Sequence, residues 1–289
     1  MSRPESEVLA GKLTDLCIAE MVAALGAASA PSFVRAALGL PFAIVSRPVG
    51  RTLAAFDVET EASGIFRAAA LTLGRFGVRL EVRGTCPTSG PLLVVANHPG
   101  AYDALALMSA IGRSDLLVIA ADRTFLRALP RVARHLLFVP EQVERRASVL
   151  RRAFVHLAGG GVLLHFAAGR IEPDPDFVER RTVPLGSWEP GTPALVRAAA
   201  RASGNVMLAA VRGVHSRRAK RWLVARWAER RGVSTVAPLI QVVARYRDVN
   251  AQVSLGSARP AAELAALGDD RTIVEHLREL MLSALAFER

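Results

Sequence analysis

Two short stretches of the chain carry residue types that move protons and hold anions. The first runs Leu92-Leu93-Val94-Val95-Ala96-Asn97-His98-Pro99-Gly100-Ala101-Tyr102-Asp103. An apolar run stops at Asn97, Pro99 and Gly100 impose a turn, and an Ala/Leu-rich segment opens with Asp103. The pattern predicts a buried strand, a tight loop and a helix. His98 would sit on the loop at the C-terminal end of the strand, the edge at which open α/β sheets bind ligands. It is a candidate general base, and Asp103 is a candidate carboxylate to orient the imidazole. The plainer alternative is a histidine that caps the helix and a first-turn carboxylate favoured by the helix dipole.

The second stretch is His165-Phe166-Ala167-Ala168-Gly169-Arg170-Ile171-Glu172-Pro173-Asp174. It also leaves the end of an apolar run. Gly169 permits close approach of backbone to a ligand. Arg170 offers a planar fork suited to phosphate or carboxylate, or else simply pairs with Glu172 or Asp174. His165 lies within the strand and is expected to pack. His135, His156, His215 and His276 are scattered and predict no metal cluster. No Gly-x-Ser-x-Gly elbow is present. Gly159-Gly160-Gly161 lacks the Lys and Ser/Thr of a phosphate-binding loop.

The elements that must position these loops follow from periodicity. Glu5 to Ser29 reads as an amphipathic helix, Ser32 to Val49 as two short helices split at Pro41, and Glu59 to Phe76 as a third helical segment. Strands are expected at Val78–Arg83, Leu92–Ala96, Leu116–Ala121, Leu136–Val139, Val162–Phe166, Val206–Val211, Val236–Arg245 and Ala251–Leu255. Helices are expected at Arg123–Ala133 with a break at Pro130, Glu141–Leu157, Gly191–Ser203, Ser216–Arg231 and Asp270–Phe287. Alternation from residue 78 onward predicts an α/β fold. Its sheet should be mixed and largely parallel, flanked by helices, with an N-terminal helical layer. The expected division is a helical segment at 1–76, a candidate for membrane association, and an α/β domain at 77–289.

Composition narrows the setting. The 289 residues can bury a large core, and 51% of them are hydrophobic. No apolar run reaches the roughly 18 residues needed to span a bilayer. The N-terminus shows no secretory signal pattern. Two cysteines, Cys17 and Cys86, allow no multi-bridge disulfide framework and fit a reducing compartment. The chain has 37 basic and 26 acidic residues, a net charge of +11. Lys12 and Lys220 are the lysines and the other basic residues are arginines, a bias that fits a GC-rich genome. A basic surface of this kind attracts anionic membranes, nucleic acid or phosphorylated ligands. Arginines from Arg212 to Arg231 interleave with Trp222, Leu223, Val224 and Trp227, the composition of an interfacial helix or of a solvated basic face. No helix-turn-helix, zinc or base-stacking signature accompanies it, so nucleic acid is not an expected partner.

The chain resembles the glycerolipid acyltransferases. Asn97, His98 and Asp103 match the family's Asn-His-x4-Asp motif, and Phe166-Ala167-Ala168-Gly169-Arg170 matches its Phe-Pro-Glu-Gly-Thr-Arg motif in part. Arg123-Thr124-Phe125-Leu126 and Phe138-Val139-Pro140 look like its second motif region. Ala167 and Ala168 replace the family's Pro and Glu, and no Thr separates Gly169 from Arg170. The resemblance, over Val78 to Leu285, implies acyl transfer from acyl-CoA or acyl carrier protein to a lipid hydroxyl. His98 and Asp103 would be catalytic, and Asn97, Phe166, Gly169 and Arg170 would bind substrate. No cofactor is implied beyond the thioester co-substrate. The expected partners are the donor, a lipid acceptor and an anionic membrane surface, with the protein peripheral on the cytoplasmic face.

Overall fold

A computed structural model of the protein describes residues 3–24, 26, 29, 31–140, 142, 146–178, 183–230 and 236–286. In chain order its elements are α1 (Arg3–Ala24), α2 (Ser32–Ser63), α3 (Ile65–Phe76), β1 (Arg79–Arg83), β2 (Leu92–Ala96), α4 (Asp103–Ile111), β3 (Leu116–Ala121), α5 (Thr124–Arg127), β4 (Leu136–Val139), α6 (Arg146–Ala158), β5 (Val162–Phe166), α7 (Gly191–Arg201), β6 (Asn205–Arg212), α8 (Arg217–Lys220), α9 (Leu223–Arg230), α10 (Val236–Ala244), β7 (Asn250–Leu255), β8 (Arg259–Pro260), α11 (Ala261–Ala265) and α12 (Asp270–Ala286). They form two compact units. One takes Met1–Arg79, Arg123–Ala133 and His215–Asn250; the other takes Leu80–Asp122, Arg134–Val214 and Ala251–Arg289. The helical unit therefore draws on three separate stretches of chain, and a single cut near residue 76 does not describe it.

The second unit is built on a mixed, largely parallel sheet of order β1-β7-β6-β2-β5-β3-β4, with β8 pairing β6. β6, β2, β5, β3 and β4 run parallel, whereas β7 and β8 pair antiparallel with β6. All five residues of β2 and all five of β5 are buried, which is why both read as unbroken apolar runs instead of alternating ones. Alternate residues of these strands, Leu93, Val95 and Leu163, face a core completed by Ala153 and Leu157 of α6, Val196 of α7 and Leu277 of α12. In-register pairing of Ala96 with Phe166 brings the loops after β2 and β5 to one edge of the sheet.

In the first unit, α2 is one helix from Ser32 to Ser63, running through both Pro41 and Pro48. The expected break at Pro41 does not occur; the long apolar flank that packs against α1 outweighs the lost N–H. The break falls instead at Gly64, whose φ of 81° no helix accommodates. The third helix thus begins at Ile65, not Glu59. Asp57, fully buried, anchors this unit by accepting from the backbone N–H of Arg131 and Val132 and from the Arg131 guanidinium.

Val236 to Arg245, expected as a strand, is helix α10. A short apolar run has no periodicity to separate the two, and its β-branched residues favoured the wrong choice. The expected helix from Ser216 to Arg231 is two, α8 and α9, interrupted at Arg221 and Trp222. Ser216 caps α8 by accepting from Ala219 N–H at 3.1 Å. Arg231 and Phe287, at the ends of expected helices, lie outside the described residues, as do Glu141 and Val143.

His165 packs, as expected. It is buried on the α7 side of the sheet and its Nε2 lies 2.9 Å from Thr192 Oγ1. Burial pushes its imidazole down to about 4 from an ordinary 6.5. Between those values the unfolded chain binds a proton that the folded chain refuses, so stability falls as the pH is lowered through this window. The expected loss by pH 5 is on the order of 2 kcal/mol. Urea midpoints at pH 7 and pH 5 check this: wild type should lose more between them than His165→Gln.

Candidate active site

The loop after β2 is held in a conformation that ordinary residues avoid. Gly100 has φ 85° and Ala101 has φ 56°, two successive left-handed residues. For alanine this costs roughly 1–2 kcal/mol, and such strain persists only where surrounding contacts over-determine it. The Asp103 carboxylate supplies several of them. Its Oδ2 accepts from Gly100 N–H at 2.7 Å and lies 2.7 Å from His98 Nδ1, while its Oδ1 accepts from Ala104 N–H at 2.6 Å. Asp103 is buried at 2% exposure, whereas the His98 side chain is 27% exposed. Nδ1 is turned inward to the carboxylate, which leaves Nε2 as the nitrogen for a substrate.

Two more contacts fix the histidine. The Phe166 ring packs against the imidazole with centroids 4.2 Å apart and planes at 31°. Glu172, 2% exposed, closes a reciprocal pair with the His98 main chain: its N–H donates to His98 O at 2.7 Å, and its Oε2 accepts from His98 N–H at 2.9 Å. Burial pulls the His98 pKa down, but the charge and hydrogen bond of Asp103, with the charge of Glu172, outweigh it and hold the imidazole above its ordinary value.

The sequence-nominated residues sort by what they touch. His98, Asp103 and Phe166 come together. Asn97 is fully buried, and its amide exchanges two hydrogen bonds with the Val211 main chain, at 2.8 Å and 2.7 Å. These bonds tie the end of β2 to β6 beneath His98. Gly169 has φ 60°, and a Cβ there would lie 2.7 Å from Glu189 Cγ. The Glu189 side chain lies against this glycine. Arg170 is exposed at the same sheet edge and donates to Ser187 Oγ at 2.8 Å. Ala167 and Ala168, where the motif departs, are buried in the core.

In the sequence Glu172 and Asp174 stand out only as ion partners for Arg170. In the structure the segment Glu172-Pro173-Asp174-Pro175-Asp176 is a strap across the strand ends. Glu172 also accepts from Gly186 N–H at 2.7 Å, Asp174 from Gly213 N–H at 2.9 Å, and Asp176 pairs with Arg212 at 2.6 Å. The signal was the spacing: Pro173 and Pro175 hold the residues before them, Glu172 and Asp174, extended, and Pro175 opens the short 3-10 turn Pro175–Phe177, which Asp174 caps by accepting from Asp176 N–H at 3.1 Å.

Among the described residues, no cluster of three or more His, Cys, Asp or Glu could hold a metal ion. The arrangement is that of an oriented imidazole beside a strained loop.

Residues 78–212 match the family model described as Acyltransferase. This segment is an acyltransferase-family domain. It spans both motif loops and ends with β6. The fold is similar to that of the 1-acyl-sn-glycerophosphate (LPA) acyltransferase PlsC from Thermotoga maritima, with a TM-score of 0.50, at 14% identity over 83% of this chain and 86% of that one. No curated protein matches the chain. Within the acyltransferase domain, the N–H groups of Gly100 and Ala104 at the start of α4 are engaged by Asp103. These two groups are therefore already satisfied within the loop.

If Asp103 sets the state of His98, Asp103→Asn removes the charge that favours the imidazolium and His98 should titrate at lower pH. NMR titration of histidine-labelled protein checks this, with His98 assigned by its absence in His98→Ala. An unmoved titration would show that the pair is only a packing contact.

Proposed function

We propose that the acyltransferase domain moves a fatty acyl group from a thioester, acyl-CoA or acyl carrier protein, to a hydroxyl of a lysophospholipid or related lipid precursor. The observation that carries this reading is the buried Asp103–His98 hydrogen bond, with the far nitrogen of the ring left for the acceptor. His98 Nε2 takes the proton of the acceptor hydroxyl as the oxygen attacks the thioester carbonyl. The tetrahedral intermediate collapses by breaking the carbon–sulfur bond, and the departing thiolate takes the proton from the imidazolium. Asp103 holds the tautomer and steadies the transient positive charge. A thiolate leaves readily, so this route calls for no covalent enzyme intermediate.

Arg170 is the cation we assign to the acceptor's anionic headgroup. It leaves the loop after β5, at the same sheet edge as His98. A phosphate held there orients an adjacent hydroxyl, which is a positioning effect separate from proton transfer. The second reading is an acceptor without phosphate, such as an aminolipid or glycolipid. It is favoured by the substitution of Ala167 and Ala168 into this loop and by the engagement of Arg170 with Ser187.

A membrane surface is the proposed place of work. Phe33, Leu40 and Ile44 are 74%, 72% and 77% exposed at helical spacing along α2, and the exposed Arg47 and Arg51 extend the same face. Trp222, Leu223 and Trp227 are exposed beside Arg217, Arg218, Arg221 and Arg226. An apolar stripe with flanking arginines suits the interface of an anionic bilayer. Among the described residues, no helix is long and apolar enough to cross a membrane.

Two experiments test these assignments. In a thioester-dependent assay with lysophospholipid acceptor, His98→Ala should lose roughly 100- to 10,000-fold in turnover. In the same assay Arg170→Ala should chiefly raise the acceptor KM. Wild-type rates in a folded His98→Ala protein would remove the mechanism, and an unchanged acceptor KM in Arg170→Ala would favour the acceptor without phosphate. Flotation with anionic vesicles should weaken at high salt and after replacement of Arg217, Arg218 and Arg221 by Ala. Equal flotation with neutral vesicles would exclude electrostatic attachment.

A further inference from the structure

We propose that Glu172 is a positioning residue for His98: it fixes the main chain that carries the imidazole and places a second carboxylate charge beside it. The inference rests on His98 acting as the base. Asp103 controls only the side chain of the histidine. Both main-chain polar groups of His98 are taken by Glu172, the C=O through Glu172 N–H and the N–H through Glu172 Oε2. No helix or strand ladder performs this task, because β2 ends at Ala96 and α4 begins at Asp103. The histidine therefore rides on a loop whose register is set from across the edge, by a residue 74 positions later.

Glu172 is itself held rigidly. Its other oxygen accepts from Gly186 N–H, and Gly186 O in turn accepts from Arg278 of α12. Pro173 and Pro175 hold the residues before them, Glu172 and Asp174, extended, and Asp174 pins the strap to Gly213 and caps the 3-10 turn that follows. Ile171 packs against Gly100, where a Cβ would lie 3.2 Å from Ile171 Cγ2, so the two loops also touch beside the hydrogen-bonded pair. A carboxylate this buried without a salt bridge would ordinarily be costly. Here burial raises its pKa, and the N–H groups of His98 and Gly186, followed by the charges of His98 and Arg278, oppose that rise. The charged groups that act on His98 are Asp103 and Glu172, and those that act on Glu172 are His98 and Arg278. Replacing Glu172 by Gln keeps the volume, removes the charge and turns one acceptor oxygen into a donor that opposes an N–H.

The test is Glu172→Gln, read by two independent measurements. In the NMR titration of His98, the variant should titrate at lower pH than wild type, because a carboxylate that favours the imidazolium has gone. In the thioester assay, turnover should fall about 100-fold, the scale of a misplaced catalytic group, while the thioester KM stays near wild type. The acid limb of the rate profile should move to lower pH along with the titration. Titration and turnover both at wild-type values would overturn the proposal. Where Glu172→Gln does not fold, Glu172→Asp keeps the charge and withdraws the carboxylate by one methylene. It should retain most of the raised His98 titration and still lose turnover, and a wild-type rate in it would overturn the proposal equally. If wild-type protein shows no thioester-dependent transfer but Glu172→Gln still shifts the His98 titration, the positioning role stands and the proposed reaction fails.

Discussion

The Asp103 carboxylate is the point on which the loop after β2 depends. It binds the imidazole, the Gly100 N–H and the first N–H of α4, and it does so from the first turn of a helix whose dipole already favours a negative charge. Without these bonds the left-handed pair Gly100 and Ala101 would have no reason to hold. Because Asp103 is buried, its attraction for a protonated ring is screened little by water, and this offsets the cost of burying His98. One side chain thus sets the loop conformation, the ring orientation and the direction of the His98 titration.

The sheet supplies what Asp103 cannot. Parallel strands in register end at the same edge, so the loops after β2, β5 and β6 meet there without any long excursion of chain. Asn97 fastens the end of β2 to β6, Phe166 of β5 supports the ring, and the acidic strap ties the loop after β5 back to the loops after β2 and β6. Most of these contacts are main-chain hydrogen bonds to buried acceptors. Each costs the full desolvation of its partner if broken, roughly 1–3 kcal/mol, so the edge is rigid where a base needs fixed geometry. Arg170, to which the acceptor headgroup is assigned by proposal, is held differently: it is exposed and donates to the Ser187 hydroxyl.

The helical unit follows a separate physical logic. Its core closes on the buried Asp57–Arg131 pair, and its apolar surplus is turned outward on α2 and at Trp222, Leu223 and Trp227. An exposed apolar stripe bordered by arginines is unfavourable in water alone, and it is the feature on which the proposed membrane attachment rests.

Sequence alone determined the elements whose composition had one physical solution. The two fully buried strands, the Pro-Gly turn after His98, and Asp103 in the first turn of the next helix were all legible, because period, turn chemistry and burial agreed. The acyltransferase resemblance rested on these same residues. Where the local signal was degenerate, the sequence misled: Val236 to Ala244 is apolar but for Gln241 and shows no clear period, and Pro41 marks a break only if packing does not compensate. Asn97 and Gly169 were visible as special residues, but whether a polar amide or an open glycine serves a ligand or a neighbour depends on what the fold brings against it. Tertiary structure decided that Val211 and Glu189 occupy those places. It also decided the role of Glu172, since a hydrogen bond between residues 74 apart exists only once parallel pairing has aligned the two loops. Local patterns encode turns and faces; the partners of a buried polar group are set by register, which no single stretch of chain contains.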